Sequence, residues 1–350
     1  MSLPTAAAAG LGALVAAVVS AGGSWLITKV GPVDAPGART SHAAPTPTSG
    51  GLAIIAGSAL GLLTFALLSP AGLDGMAAVG AALLFAAGAG VSGALDDLFD
   101  VNAQLKLLIG VLLASAFAWL VGPLSRLPFL PGIDVPLAGW IGWAGAILWM
   151  VTASNAVNFM DGANGLAPGA MSVAFAALAV TAFAKGAPAV GACALCAAVA
   201  GAAFLPFNLG GRLFQGDAGA LFSSFLFGAL CLAAAGRDGR GPVDLYFGPV
   251  ALMPFLADVL LTLLRRARGG RSLLSAHREH LYQRWLQARG EPHSLTAART
   301  AAVMGLAGLL AIAAAFAGEA IQTASLILGA VLCTVGWIAV GRRLEPKPRG

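Results

Sequence analysis

Blocks of about 20 apolar residues, separated by short polar breaks, are the feature that most constrains the fold of this chain. A helix of that length crosses the hydrocarbon core of a bilayer. The blocks lack the alternation of a membrane β-barrel, and only helices and closed barrels satisfy their backbone groups in lipid. Only 10% of the residues are charged, against about 25% in soluble domains. The sequence therefore predicts an all-α, polytopic transmembrane bundle.

The blocks predict eleven spans, or ten if one of the short breaks near 185–187 and 318–320 is not a true turn. The first block is long and no basic residue precedes it, which favours a retained helix over a cleaved signal peptide. Residues 1–350 then form a single integral membrane domain. The expected spans are 4–30, 50–69, 75–95, 104–122, 138–154, 166–184, 187–206, 217–235, 247–266, 297–317 and 320–341.

The basic residues are unevenly divided between the two faces that these spans define. With the loop after the first span placed inside, all but four of the 20 Lys and Arg residues lie on the inner side. The positive-inside rule thus places the N-terminus outside and the inner loops in the cytoplasm. The net charge of +5 is mainly this orientation signal, and no basic domain interleaved with aromatic residues predicts nucleic-acid binding. The four outer residues are Arg126, Lys185, Arg237 and Arg240.

Three polar islands, residues 96–100, 155–165 and 214–217, separate apolar blocks on the inner side. Carboxylates are expensive to place at the edge of hydrocarbon, so they indicate a functional site. Since all three islands fall on one face of the membrane, we expect one site instead of three.

The first island contains Asp96, Asp97 and Asp100 at the end of the third span. Adjacent carboxylates repel, which raises the proton affinity of one of them or recruits a cation. A polar helix end is the simpler interpretation, but carboxylates at a helix C-terminus oppose the helix dipole. The pattern therefore favours a functional role.

The third island places Asp217 at the start of the eighth span, where a carboxylate can simply cap the helix. Together with Asp96 and Asp97 it also supplies separated oxygen ligands of the kind that hold Mg²⁺ beside substrate phosphates. Phe214, three residues earlier, could stack on a base or anchor the chain in the interface.

The second island is rich in amides, with Asn155, Asn158, Asp161 and Asn164 within ten residues. Their donors and acceptors suit a nucleobase, a ribose or a sugar. A connecting loop needs only about two to six residues here, so the composition favours binding over mere connection.

The longest inner loop, 267–296, is basic and contains an expected short helix over 276–289, with Ser275 as its N-cap. Arg278 and two histidines in this helix could hold a diphosphate. An anionic lipid headgroup is the expected contact of Arg265, Arg266, Arg268 and Arg271. One helix face would carry His277, His280 and Arg284. Asp258, inside the ninth span, is interpreted as half of a structural ion pair.

Six motifs between Asp34 and Arg284 follow one another in a fixed order. They are Asp34-x-Pro36-x-x-Arg39-x-x-His42, Pro45-Thr46-Pro47 with Gly50-Gly51, D-D-L-F-D, N-A-V-N-F-M-D-G-A-N-G-L-A, Phe207-Asn208 with F-Q-G-D-A-G, and H-R-E-H-L-Y-Q-R. Together they resemble the polyprenyl-phosphate N-acetylhexosamine-1-phosphate transferase family. This family includes bacterial enzymes that start O-antigen and enterobacterial common antigen, and the peptidoglycan translocase.

The resemblance implies transfer of a sugar-1-phosphate from UDP-HexNAc to undecaprenyl phosphate, with release of UMP, at the cytoplasmic face of a bacterial inner membrane. It implies Mg²⁺ bound by Asp217, with Mn²⁺ as a substitute. It also implies that Asp96 and Asp97 position or deprotonate the lipid phosphate. Such a product would start an O-antigen, capsule or cell-wall polysaccharide, and a homodimer would fit the resemblance.

The resemblance also assigns the remaining candidates. Those expected at the nucleotide are Asn155, Asn158, Asp161, Asn164 and Phe214. Those expected at the phosphates are His277, Arg278 and His280. Further site candidates are Asp100, Arg39, His42 and Asn208.

Three departures and one rival remain. Asn164 stands where many members have Asp, which puts an acidic contact to the nucleotide in doubt. Ala43 replaces a Lys of the peptidoglycan translocase, and the histidine motif lacks adjacent histidines, so these two departures favour the O-antigen or capsule branch. The translocase remains the alternative enzyme.

A transporter or lipid flippase is the rival from another class, and it predicts polar residues at the bilayer midplane and broken helices in matching halves.

Overall fold

The computed structural model describes residues 3–34, 45–69, 75–130, 132–272 and 277–345. Two antiparallel strand pairs occur there, β1 (Val33–Asp34) with β2 (Thr46–Pro47) and β3 (Arg126–Leu130) with β4 (Ile133–Pro136). The remaining elements are helices: α1 (Thr5–Val30), α2 (Gly51–Leu68), α3 (Met76–Phe99), α4 (Ala103–Val121), α5 (Gly139–Met160), α6 (Leu166–Ala184), α7 (Pro188–Leu209), α8 (Gly216–Ala235), α9 (Phe247–Ala251), α10 (Met253–Arg268), α11 (Leu281–Arg289), α12 (His293–Ala317) and α13 (Glu319–Arg343).

Ten helices within the described ranges are long and apolar enough to cross a bilayer, which confirms the all-α, polytopic bundle. They are α1 to α8, α12 and α13. Most of their connections are short, so the helices that they join run antiparallel and the helix ends gather at two faces. We call the face with the β3–β4 pair the hairpin face, and the opposite face, where α3 ends and α8 begins, the site face.

An eleventh crossing is made by two shorter helices, α9 and α10. Pro254 lies in the first turn of α10, where a missing backbone N–H is tolerated, and the helix axis breaks just before it. Tyr246, at the start of α9, donates its hydroxyl to the Pro128 carbonyl on the hairpin face. At the other end Arg265 pairs with Glu279, at 3.4 Å, on the site face. The span expected at 247–266 therefore exists, as a broken helix.

The bundle is organised around α8, whose most apolar stretch is 89% buried. Its neighbours α3, α5 and α2 pack against it through apolar side chains, many of them Ala and Phe, and through close contacts at glycines. The helices α4 and α13 lie at the periphery, with large apolar side chains such as Trp119 exposed. In a bilayer this outward apolar surface contacts lipid.

The ends of α3 and α5 differ from the expected spans. Helix α3 continues to Phe99 and α5 to Met160, so Asp96, Asp97 and Asn158 lie on final helical turns instead of in loops. The helix tolerates Asp96 because its Oδ1 accepts the Val101 amide, at 2.8 Å, beyond the helix end. These three side chains therefore lie on helix ends at the site face.

The helix expected over 276–289 begins only at Leu281. Residues 277–280 are not helical, so His277, His280 and Arg284 do not share one helix face and that prediction is wrong. The physical reason is Asp258, whose carboxylate accepts the first amides of α11 and sets its start. Three expected residues lie outside the described ranges, namely Arg39, His42 and Ser275.

Candidate active site

The last turn of α3 meets the first turn of α8 at two carboxylates. The Asp217 backbone N–H donates to Asp97 Oδ1 at 3.0 Å, and the Ser49 hydroxyl donates to Asp97 Oδ2 at 3.3 Å. A carboxylate that accepts the amides of a helix N-terminus is well placed with respect to the helix dipole. Asp97 thereby holds α8 in register, and its neighbour Asp217 faces the same cluster.

Lys106, in the first turn of α4, joins two of these acids. Its Nζ lies 2.6 Å from Asp96 Oδ2 and 3.1 Å from Asp217 Oδ2. All three side chains are only partly exposed, so their interaction is screened less than a surface ion pair. We did not predict Lys106 as a site residue, although a Lys in an otherwise apolar helix is a recognisable signal.

Close backbone approach makes this meeting of helices feasible. A Cβ atom on Gly93 of α3 would overlap the backbone of Asp217, and one on Gly51 of α2 would overlap the backbone of Gly219. Any larger residue at Gly93 or Gly51 would push α3 or α2 away from α8. The site therefore depends on glycine at these two contacts.

The Pro45-Thr46-Pro47 segment is joined to the third island by backbone hydrogen bonds. The Phe214 N–H donates to the Pro47 carbonyl at 2.9 Å, and the Gly50 N–H donates to the Phe214 carbonyl at 2.9 Å. The Gly51 N–H donates to the Gln215 carbonyl at 2.9 Å. Two motifs that are far apart in sequence are thus one structural unit beside Asp217.

The second island reaches the same cluster through Asp161, which directly follows α5. Its carboxylate lies near the side chain of Gln215, which is 2% exposed, and interacts electrostatically with Asp217 and Asp97. Loss of solvation raises the pKa of Asp161 well above its usual value, and the two neighbouring carboxylates raise it further. The nearby Gln215 side chain acts in the opposite direction.

The amide side chains of the island differ in what they contact. Asn155 donates to the Val151 carbonyl one turn back in α5, at 2.8 Å, and Asn158 lies half-buried on the last turn. The Asn164 backbone N–H donates to His293 Nδ1 at 3.3 Å. Asn208 is buried and bridges the Gly165 N–H to the Leu213 carbonyl, at 2.5 and 2.9 Å. Asn208 therefore braces the loops and does not face the cluster.

Two other predicted residues stand apart from the carboxylates. Asp100 is exposed and closes α3 with a left-handed backbone, φ 50°. Phe214 is half-buried between the segment that precedes α2 and the start of α8. Of the three islands, the side chains brought together are therefore those of Asp96, Asp97, Asp161 and Asp217.

The histidine motif lies beside the end of α5. The His280 ring is 2% exposed and stacks on Phe159, with ring centroids 5.7 Å apart, and lies 4.9 Å from the ring of His277. Burial lowers the pKa of His280 to about 4 and also lowers the pKa of His277. His280 is therefore neutral at pH 7, and of this triplet Arg278 carries a fixed charge.

Glu279 gathers three of the four arginines expected to contact lipid headgroups. Arg271 Nη1 lies 2.8 Å from Glu279 Oε2, Arg265 lies at 3.4 Å, and Arg266 also pairs with this carboxylate. Arg266 is 5% exposed and also donates to the Ser272 carbonyl. One carboxylate neutralises only one of these three charges, so headgroup contact stays a prediction, while Glu279 holds the three guanidinium groups in one cluster.

Among the described residues Asp258 forms no ion pair with a Lys or Arg side chain, which contradicts the structural ion pair expected for it. Within the described part of the chain its recorded partners are backbone amides, a hydroxyl and an indole, and the His280 ring lies 3.9 Å away. Hydrogen bonding without a counterion satisfies this buried carboxylate.

The carboxylate cluster suits a further cation. Lys106 pairs with Asp96 and Asp217, whereas neutral groups hold Asp97 and Asp161. Within the described ranges, no three His, Cys, Asp or Glu side chains form a complete metal cage. Mg²⁺ usually takes only one or two protein carboxylates and completes its shell with water and substrate phosphates, so the donor set fits this ion.

Comparison with known proteins agrees with this geometry. The family profile described as Glycosyl transferase family 4 matches residues 78–235, which include all four clustered acids. A probable undecaprenyl-phosphate N-acetylglucosaminyl 1-phosphate transferase of Bacillus subtilis is 28% identical over 274 residues, covering 77% of this chain and 73% of the relative.

Two further relatives are closer in identity. A decaprenyl-phosphate N-acetylglucosaminephosphotransferase of Mycolicibacterium smegmatis is 30% identical, over 75% of this chain and 70% of the relative. A phospho-N-acetylmuramoyl-pentapeptide-transferase of Chlamydia trachomatis is 32% identical, over 68% of this chain and 74% of the relative.

Proposed function

Because the chain belongs to the polyprenyl-phosphate N-acetylhexosamine-1-phosphate transferase family, we propose that it moves HexNAc-1-phosphate from a UDP-sugar to undecaprenyl phosphate. One observation carries this proposal. Four carboxylates and Lys106 meet at helix ends on one face of the bundle, where a water-soluble phosphate donor can meet a lipid phosphate.

In the proposed reaction the sugar-1-phosphate is transferred from UMP to the lipid phosphate. An oxygen of the lipid phosphate forms a bond to the phosphorus that bears the sugar. The bond from that phosphorus to the bridging oxygen breaks, and UMP leaves with that oxygen. The product is a lipid diphosphate sugar, on which a polysaccharide can be started. Phosphoryl transfer of this kind requires positioning and charge neutralisation more than covalent help from the protein.

Asp217 and Asp97 are the residues that would hold Mg²⁺, and the ion would neutralise charge on the phosphates. Lys106 supplies a fixed positive charge beside the same phosphates, while Asp96 holds the Lys106 ammonium in place at 2.6 Å. A phosphate monoester is largely a dianion at neutral pH, because its second pKa is about 6. The attacking oxygen therefore needs orientation more than deprotonation by Asp96 or Asp97.

The nucleotide would bind along the end of α5 and the third island. Asn155, Asn158 and Asn164 supply amides for the uridine, and Phe214 supplies a flat apolar surface for the base.

The phosphates of the donor would face the histidine motif. Arg278 is exposed and cationic, whereas the neutral rings of His277 and His280 can donate or accept a hydrogen bond.

The membrane placement follows from charge. We place the site face in the cytoplasm of a bacterium. Among the described residues only four Lys and Arg lie at the hairpin face, and the others lie at the site face, which the positive-inside rule places in the cytoplasm. The donor is then available on the side where nucleotide sugars are made. Substituted-cysteine labelling from each side of inverted and intact vesicles tests this orientation, with a cysteine at exposed Asp238 reporting on the opposite face.

The function is tested by UMP release from purified protein in detergent with undecaprenyl phosphate, Mg²⁺ and a panel of UDP-sugars. UDP-GlcNAc, UDP-GalNAc and UDP-sugars with 6-deoxy-HexNAc should be compared at equal concentration. We expect UMP and a lipid diphosphate sugar in equal amounts with at least one donor. No UMP from any donor, with folded protein and active lipid, would contradict the proposal.

The peptidoglycan translocase activity is a second candidate, favoured by the 32% identity to the Chlamydia trachomatis relative. UDP-MurNAc-pentapeptide belongs in the same donor panel for this reason. Release of UMP from this donor alone would assign the chain to the translocase branch, whereas release from a UDP-HexNAc alone would exclude it.

Gly216→Ala should lower UMP release about 100-fold, as for loss of a group that stabilises the transition state. Gly216 has φ +67°, and an added Cβ would overlap the Asp97 carboxylate. Gly290→Ala is the matched control, since φ is +59° there and its Cβ would meet open space. Both variants have the left-handed backbone penalty of about 1 kcal/mol, so equal losses in both would contradict displacement of Asp97 as the cause.

A further inference from the structure

Asp258 is a buried carboxylate that the proposed reaction does not use. Its Oδ1 accepts the Leu281 amide at 2.8 Å, the Trp337 indole N–H at 3.1 Å and the Thr262 hydroxyl at 3.2 Å. Its Oδ2 accepts the Tyr282 amide at 3.4 Å. The carboxylate, on α10, thus gathers donors from α10, α11 and α13.

The two amides are the first of α11, which have no partner within that helix. A carboxylate from another helix therefore performs the capping that a local Ser or Asp usually performs. The Gln283 side chain adds to this by accepting the His280 N–H at 3.3 Å. These bonds fix both the start and the direction of α11.

Helix α11 in turn supports the turn that carries the nucleotide-side residues. The hydroxyl of Tyr282 donates to the Phe159 carbonyl at 3.2 Å, and a Cβ added to Gly162 would overlap that hydroxyl. Burial raises the pKa of Tyr282, so the hydroxyl stays protonated and remains a donor. The turn that Tyr282 holds lies between Asn158 and Asp161, the residues placed beside the nucleotide.

Helix α13 also contacts Asp258 and α11, although most of its surface faces lipid. Besides the Trp337 bond to Asp258, the Arg265 guanidinium lies over the Trp337 ring at 5.6 Å. Arg284 of α11 donates to the Gly341 carbonyl at 3.3 Å. The last crossing is thereby fastened to the same point as α11.

We propose that Asp258 is a positioning residue for donor binding. This inference rests on the proposed function. It holds α11 so that Tyr282 supports the 158–162 turn, and Trp337 of α13 holds Asp258 in its place. A change at Asp258 should therefore weaken binding of the UDP-sugar more than binding of the lipid phosphate.

The test compares Asp258→Ala, Asp258→Asn and Trp337→Phe in steady-state assays with each substrate varied. Loss of hydrogen bonds to a charged group is expected to raise the KM for the UDP-sugar about tenfold in Asp258→Ala. Asp258→Asn should lie between Ala and wild type, because it keeps one acceptor oxygen. Trp337→Phe removes only the indole N–H and should raise the KM for the UDP-sugar about threefold. The KM for undecaprenyl phosphate should change less than twofold in all three.

Matched controls are Asp238→Asn, exposed on the hairpin face, and Trp119→Phe, 80% exposed to lipid. Hydrogen exchange should quicken in 277–289 and 158–165 in the Asp258 variants and stay unchanged in the controls. Equal changes in both KM values, or a fall in kcat alone, would overturn the proposal. If Asp258→Ala does not fold, Asp258→Asn and Trp337→Phe still decide it. Wild-type turnover tests the proposed function separately, so failure of that activity is distinct from an unchanged donor KM in active variants.

Discussion

Asp217→Asn is expected to reduce UMP release about 1000-fold while the protein remains folded. The substitution keeps the shape of the side chain and removes the charge that faces Lys106 and the proposed Mg²⁺. Loss of one carboxylate that binds both a cation and the phosphates removes stabilisation that exists mainly in the transition state. The measurement is the initial rate of UMP release at saturating Mg²⁺, with thermal unfolding in detergent as the check on folding.

Asp238→Asn removes a carboxylate of the same type on the opposite face and should keep wild-type activity. Titration with Mn²⁺ adds a second readout, because a weakened metal site is partly restored by an ion that binds more tightly. Asp217→Asn with wild-type rates at low and high Mg²⁺ would contradict the role of Asp217.

Lys106→Met should lower activity about 100-fold and should also change the Mg²⁺ dependence. Removal of the ammonium leaves Asp96 and Asp217 without their shared partner, at 2.6 and 3.1 Å. The uncompensated carboxylates then attract a divalent ion more strongly, so half-maximal activity should need less Mg²⁺. A simple structural loss would reduce the rate without this shift.

Lys106→Arg is the informative companion, because it keeps the charge but presents a planar fork in place of a compact ammonium. We expect intermediate activity and an Mg²⁺ dependence close to wild type. Lys185→Met is the control, since Lys185 lies on the hairpin face over the Phe316 ring, 4.8 Å from its centroid. An unchanged Mg²⁺ requirement in Lys106→Met would show that Lys106 does not share the cation site.

The fold could be predicted largely from the apolar blocks, because a bilayer imposes a length on each helix. Even the ninth crossing was expected, although α10 has only 16 residues and ends in three arginines. What the pattern could not show was where α3 and α5 end. The end of α3 is held by the Val101 amide, which donates to Asp96, and no periodicity in the sequence reveals that contact.

The site was predictable as a set of acids but not as a set of contacts. Asp97 and the Asp217 amide are 120 residues apart in sequence and 3.0 Å apart in space. Lys106 was missed as a site residue because one basic residue at a helix start is usually interfacial. Gln215 was missed because an amide before a helix usually indicates a cap, whereas here it is buried against Asp161.

The basic loop shows a different limit. A run of arginines beside a membrane usually indicates headgroup binding, and the pattern does not show that Glu279 also pairs with Arg265, Arg266 and Arg271. A single acid among many bases carries little weight in a compositional pattern. Its effect depends on which side chains the loop brings together.

The close contacts of Gly51 with Gly219 and of Gly93 with Asp217 bear on how new donor preferences can be engineered. At these contacts the helices that carry the clustered acids leave no space for larger residues, so libraries that replace these glycines would mostly give misfolded protein. In the turn at 158–165 and the segment at 277–280, the half-buried or exposed side chains of Asn158, Asn164 and Arg278 have room to vary, whereas Gly162, Gly165 and His280 do not. Selection for a different sugar should therefore enrich substitutions in these two segments and leave the acid-bearing helices unchanged.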